Sequence, residues 1–185
     1  HRLIDFVQVR IPRLGLMNLD KLRSRLSEDI KADDLKDLEI PLFVTVSDIR
    51  NGRVEYINEG PLVKLVQASA SIPVLFSPVE IEGKIFADGG IYDNVPVEPL
   101  RKICKKLIAV NISPIQETDR LKNLIQIAAR TFHLSVNSTI NGLEEKCDLV
   151  IEPPALSEFD ILDASRAQEA YDAGYEYCKN LDIDL

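Results

Sequence analysis

Leucines at 22 and 26 and an isoleucine at 30 recur every four positions behind Asn18, a residue suited to capping a helix. An amphipathic helix is therefore expected after the turn-like P-R-L-G of residues 12–15. From Pro41 the pattern changes: Leu42 to Ser47 is a strand too apolar to face water, and Asn51-Gly52 is a strong turn signal leading into Arg53–Ile57. Pro61 suits a first helical position, and Leu62, Val63, Leu65, Val66 and Ala68 make the next helix apolar nearly all round, hence buried, ending before Pro73. Glu82-Gly83 turns a second hairpin, whose return strand, Lys84 to Ala87, delivers Asp88.

Beyond the glycine pair at 89 and 90, Val97 to Lys106 reads as a helix with lysines in its last turn, and Leu107 to Ile112 as a short strand of the kind buried in a parallel sheet. A long helix is expected from Asp119, with Leu121, Leu124, Ile125, Ala128, Phe132, Val136 and Ile140 along one face. Cys147 to Ile151 is another buried strand, and a last helix from about Ser165 places Ala167, Tyr171, Gly174 and Cys178 inward. Strands alternating with helices predict an α/β fold: a largely parallel sheet with helices on both faces. With no internal repeat, low-complexity stretch or linker, residues 1–185 are read as belonging to one domain.

Composition narrows the partners. The 30 acidic and 22 basic residues give a formal charge of -8, with no basic stripe for a polyanion, so nucleic acid is not expected as a partner. Cysteines 104, 147 and 178 are far apart and in no C-x-x-C spacing, which indicates neither a disulfide framework nor a zinc site. A reducing, cytoplasmic setting is the expectation, and no apolar run approaches the roughly 20 residues needed to span a bilayer.

The chemistry concentrates between Ser69 and Pro96: S-A-S-I-P-V-L-F-S-P, an apolar hairpin, then F-A-D-G-G-I-Y-D-N-V-P. An aspartate at a strand end, with Gly89 and Gly90 behind it to let the backbone turn, sits where many α/β enzymes place an acid or base. Taken alone, D-G-G is a turn signal. Taken with S-x-S-I-P-x-x-F-x-P, G-x-x-x-x-D-G-G, D-N-V-P and the earlier strand ending in Ser47-Asp48, it resembles the patatin-like phospholipase family, especially its bacterial members, over about residues 14 to 152.

That resemblance implies a three-layer α/β domain and a lipid acyl hydrolase in which an elbow serine pairs with the aspartate of D-G-A/G, while a glycine-rich loop supplies the oxyanion hole. Asp88 would be the dyad aspartate and general base, supported by Gly89 and Gly90, with neither metal nor organic cofactor. The only histidines, His1 and His133, sit in no catalytic motif, which agrees with a dyad rather than a triad. No serine lies two positions after any of the eight glycines, so the chain has no G-x-S-x-G elbow, and the glycine-rich loop is missing too.

The simplest expectation is the C-terminal portion of a domain whose N-terminal side lies outside this sequence; the alternative is a natural relative without its nucleophile, acting in lipid binding or assembly. The implied partners are a lipid or ester substrate, the missing N-terminal segment, a membrane surface in transient contact, and further copies of the chain. Ser69 and Ser71 lack an elbow and fit helix-end hydrogen bonding. Asp93 and Asn94 do not match a calcium loop with Asp88 and read as part of a turn. Tyr171 and Tyr175 are expected in the core, and Leu14, Leu16 and Met17 fit a core edge or an acyl-chain entrance, the core being favoured.

Overall fold

The computed structural model describes residues 8–9, 15–117, 121–140, 142–159 and 164–183, which fall into two compact units, one within Ile4–Asn94 and one within Val95–Leu185.

In the first unit, β1 (Gln8–Val9) pairs antiparallel with β2 (Met17–Asn18), and α1 (Asp20–Asp29) follows. Asn18 accepts the Asp20 N–H at 3.3 Å, and the expected α1 face, Leu22, Leu26 and Ile30, is partly buried. Strands β3 (Val44–Asp48), β4 (Arg53–Ile57), β5 (Val79–Ile81) and β6 (Lys84–Asp88) form a sheet in the order β4-β3-β6-β5. Every pairing in it is antiparallel.

Both hairpins foreseen in the sequence are present. Asp48 organises the first: its Oδ1 accepts the N–H groups of Arg50 and Asn51 at 3.0 and 3.1 Å, its Oδ2 accepts Asn51 Nδ2 at 2.7 Å, and Gly52 closes the loop at φ +66°. In the second, Glu82 and Gly83 both take positive φ, 51° and 78°, the mirror-image turn that suits strand twist.

Helix α2 (Leu62–Ser69) starts one residue beyond Pro61 and lays its apolar side on this sheet. Leu62, Leu65 and Ala68 pack with Leu35, Val44, Val46, Ile81 and Phe86, and full burial of each large side chain contributes roughly 1.5–3 kcal/mol. The chain leaving α2 turns at Pro73-Val74, where Val74 holds φ 70°, an uncommon conformation for a β-branched residue. Leu16 and Met17 donate their N–H groups to the Val74 and Leu75 carbonyls at 3.1 and 2.9 Å, and a Cβ on Gly15 would lie 2.5 Å from the Phe76 backbone. Leu16 and Met17 are thus partly buried against the 74–77 segment, a core edge; Leu14 lies outside the described residues.

In the second unit, β7 (Ile108–Val110) and β8 (Leu149–Ile151) pair in parallel, with Ala109 opposite Val150. The α/β class holds, but the pairing is mixed: parallel here and antiparallel in the four-stranded sheet, because hairpins too short for a crossover join β3 to β4 and β5 to β6. The helix expected over Val97 to Lys106 is a single turn, α3 (Glu98–Arg101); the exposure of Ile103 and Cys104 leaves no buried face to prolong it.

Helix α4 (Leu124–Asn137) begins at the Asn123 cap, whose side chain accepts the Gln126 N–H at 2.9 Å; the expected start at Asp119 lies outside the described residues. Of the expected face, Val136 is buried and Ala128, Phe132 and Ile140 are partly buried, but Leu121, Leu124 and Ile125 at its start are exposed, and the second buried position is Ala129, off that face. A short α5 (Leu143–Lys146) precedes β8, and Leu143 joins Val97, Leu107 and Ala109 in this unit's core.

The last helix, α6 (Ala167–Lys179), corrects the sequence reading. Tyr171 and Tyr175 are 65% and 55% exposed, Ala167 and Cys178 are exposed too, and Gly174 is only partly covered. None of its residues is buried, and the two tyrosine rings stack on each other, centroids 6.1 Å apart, instead of entering a core.

Candidate active site

Asp88 is the last residue of β6 and the cap of a 3-10 turn over Gly89–Ile91, with its Oδ1 accepting the Gly90 N–H at 2.8 Å. The structure gives Gly89 a reason other than the expected freedom to turn. Neither Gly89 nor Gly90 takes a positive φ. What Gly89 requires is space: a Cβ there would lie 2.4 Å from the carbonyl oxygen of Thr45 and 2.7 Å from its Cγ2, so only a glycine lets the turn press onto β3. The backbone of Asp88 is fixed on both sides, its N–H donating to the Ser71 carbonyl at 3.0 Å and its C=O accepting the Ser47 hydroxyl at 2.8 Å.

Asp88 and Asp48 end two strands that lie side by side, β6 and β3, yet their carboxylates differ in chemistry. Among the described residues Asp48 has three donated hydrogen bonds, and that of the Asn51 side chain leads in holding its pKa below the usual aspartate value. Asp88 is dominated by desolvation, which raises its pKa to about 6 against the opposing pull of the Gly90 N–H. A carboxyl that titrates near neutrality, with one of its oxygens accepting no protein hydrogen bond among the described residues, can accept a proton from a hydroxyl placed beside it. Asp48 has the chemistry of a turn former.

The other singled-out residues fall into structural places. Ser71 is buried and donates its hydroxyl to the Gln67 carbonyl at 2.8 Å, the helix-end bond expected of it, and Ser69 is the partly buried last residue of α2. The Asp93 carboxylate accepts the Tyr56 hydroxyl at 2.6 Å, which ties the segment after D-G-G back to β4, and the chain bends at Asn94. Three contributors to the site went unread in the sequence: Ser47, Thr45 and Tyr56. A signal for the first two existed, since alternation in L-F-V-T-V-S-D places small hydroxyl residues at 45 and 47 on one face of an otherwise apolar strand.

A strand-end carboxyl shielded from water, seated on a neighbouring strand through a glycine too tight for any side chain, is placed where it can exchange a proton. The family model of the patatin-like phospholipases matches residues 2–101, and the chain belongs to that family of lipid hydrolases. It is similar to an uncharacterised NTE family protein of Mycobacterium tuberculosis, 29% identical over 104 residues, covering 56% of this chain and 29% of the relative. It is also similar to the lysophospholipase NTE1 of Saccharomyces cerevisiae, 25% identical over 169 residues (77% of this chain, 10% of the relative), and to that of Cryptococcus neoformans, 24% identical over 155 residues (69% and 9%). The chain thus spans less than a third of the length of each of these relatives.

Proposed function

We propose that this chain contributes the general base of a serine acyl hydrolase that cleaves carboxylic esters of lipids. Asp88 accepts the proton of a serine hydroxyl supplied by a segment outside these 185 residues, the serine oxygen attacks the ester carbonyl, and the alcohol leaves with a proton returned from Asp88. Water, activated in turn by Asp88, releases the acid. The observation that carries this reading is the contrast between two strand-end aspartates: Asp88 is desolvated to a pKa of about 6, whereas the donors around Asp48 hold its pKa below the usual aspartate value. The relatives named lysophospholipase favour a lipid ester as substrate.

The test is hydrolysis of a lysophospholipid by a longer form carrying the upstream serine, with and without Asp88→Asn. A loss of at least ~10²-fold in kcat with no fall in the melting temperature is expected for an essential base. Activity within a few-fold of the parent would reject the role of Asp88. The 185-residue chain itself is expected to be inactive, having no elbow serine.

A further inference from the structure

We infer that Ser47 is a positioning residue for Asp88, acting through the Asp88 main chain rather than through its carboxylate; the inference rests on the reading of Asp88 as the base. Ser47 sits on β3, opposite Ala87 and diagonal to Asp88, and is 0% exposed. Its hydroxyl donates to the Asp88 carbonyl at 2.8 Å, at the point where β6 gives way to the Gly89–Ile91 turn. Two positions earlier on the same face, the Thr45 carbonyl and Cγ2 form the surface against which Gly89 is pressed. Two successive inward residues of one strand therefore seat the D-G-G turn, one by hydrogen bond and one by close contact.

The consequence concerns direction. Among the described residues the carboxylate is itself held by one hydrogen bond, from Gly90 within the same turn, so its orientation follows that of the turn. With the Ser71 carbonyl fixing the Asp88 N–H on one side, Ser47 fixes the other end of the residue, and the two together hold the carboxyl in its shielded setting. Loss of the Ser47 hydroxyl leaves a partly buried carbonyl without its donor, and rotation of the turn toward water satisfies it. Rotation toward water would return the carboxyl to ordinary hydration.

The structure supplies its own control. Ser77, partly buried in the same unit, also donates its hydroxyl to a main-chain carbonyl, that of Met17 at 3.3 Å, and makes no hydrogen bond to Asp88 among the described residues. Ser47→Ala and Ser77→Ala each remove a hydroxyl bound to a main-chain carbonyl, and only the first touches Asp88.

The experiment is a carboxyl-carbon NMR titration of Asp88 in the 185-residue chain, with Asp88→Asn to assign the signal. In the parent the midpoint is expected at about 6. Ser47→Ala should lower it by about one pH unit or more, toward the ~3.9 of a hydrated aspartate, while Ser77→Ala leaves it in place whatever either variant does to the melting temperature. An unchanged or higher midpoint in Ser47→Ala, or an equal shift in Ser77→Ala, overturns the inference. Should Ser47→Ala not fold, Ser47→Cys, nearly isosteric and a much weaker donor, is read by the same criterion. Because the titration needs no nucleophile, its outcome is separate from that of the hydrolysis test.

Discussion

Replacing Asp88 by asparagine should stabilise the folded chain at neutral pH. The carboxyl titrates at about 6 when folded, against 3.8 for the ordinary group, because burial opposes its charged form. Between those values the folded state binds more protons than the unfolded state, so stability falls as pH rises through this window. At about 1.36 kcal/mol per unit, ionised Asp88 costs the fold about 3 kcal/mol at pH 7 and about 0.5 kcal/mol at pH 4. Asparagine keeps the size of the side chain and an oxygen to accept the Gly90 N–H, but carries no charge to desolvate. Urea unfolding of the chain and of Asp88→Asn, followed by circular dichroism at both pH values, should show the variant about 2–3 kcal/mol more stable at pH 7 and nearly equal at pH 4. Taking the difference between the two proteins cancels other titrations, including those of Asp34 and Asp48, whose lowered values act in the opposite sense by losing stability as pH falls. Equal stability at pH 7, or a gap that persists undiminished at pH 4, would refute the desolvated-carboxyl reasoning.

Gly89→Ala should cost about 3 kcal/mol or more in the same unfolding assay, because a Cβ 2.4 Å from the Thr45 carbonyl oxygen forces backbone to move. Thr45→Val should be neutral or stabilising by about 1 kcal/mol, since the buried Thr45 hydroxyl has no hydrogen-bond partner among the described residues; a clear loss would reveal one. Val74→Gly should raise the melting temperature, as relief of roughly 1–2 kcal/mol of left-handed strain outweighs the ~0.5–1 kcal/mol entropy cost of glycine. A lowered melting temperature would mean that the Val74 side chain packs more than its 63% exposure indicates.

The first half of the fold was legible because its signals are local. Asn51-Gly52 and Glu82-Gly83 demand left-handed turns, and the apolar strands and α2 carry their burial in short runs. The second half was less legible because its helices bury little of themselves. Periodicity reports where apolar residues lie on a helix, but neighbours decide which face is covered: α4 buries Ala129 and Val136, with Leu124 left in solvent, and α6 buries nothing. The sheet was legible only in part. Both hairpins could be read from their turns, but no local signal shows that β3 and β6 pair with each other, or that they do so antiparallel, while β7 and β8 pair in parallel.

The same limit governs the site. Asp48 and Asp88 look alike in sequence, each ending an apolar strand and each followed by turn residues, and propensity alone assigns both to turns. What separates them is a count of donors. Asp48 receives three, so its charge is compensated and folding gives a sufficient reason for a carboxylate there. Asp88 receives one among the described residues, while the Ser47 hydroxyl and the Ser71 carbonyl bond its main chain and leave the carboxyl less compensated. For the turn alone, asparagine would serve as well and without the cost of desolvating a charge. An aspartate held in that setting makes sense when its affinity for a proton is what the position supplies, and that affinity is what a serine hydroxyl brought against it would use.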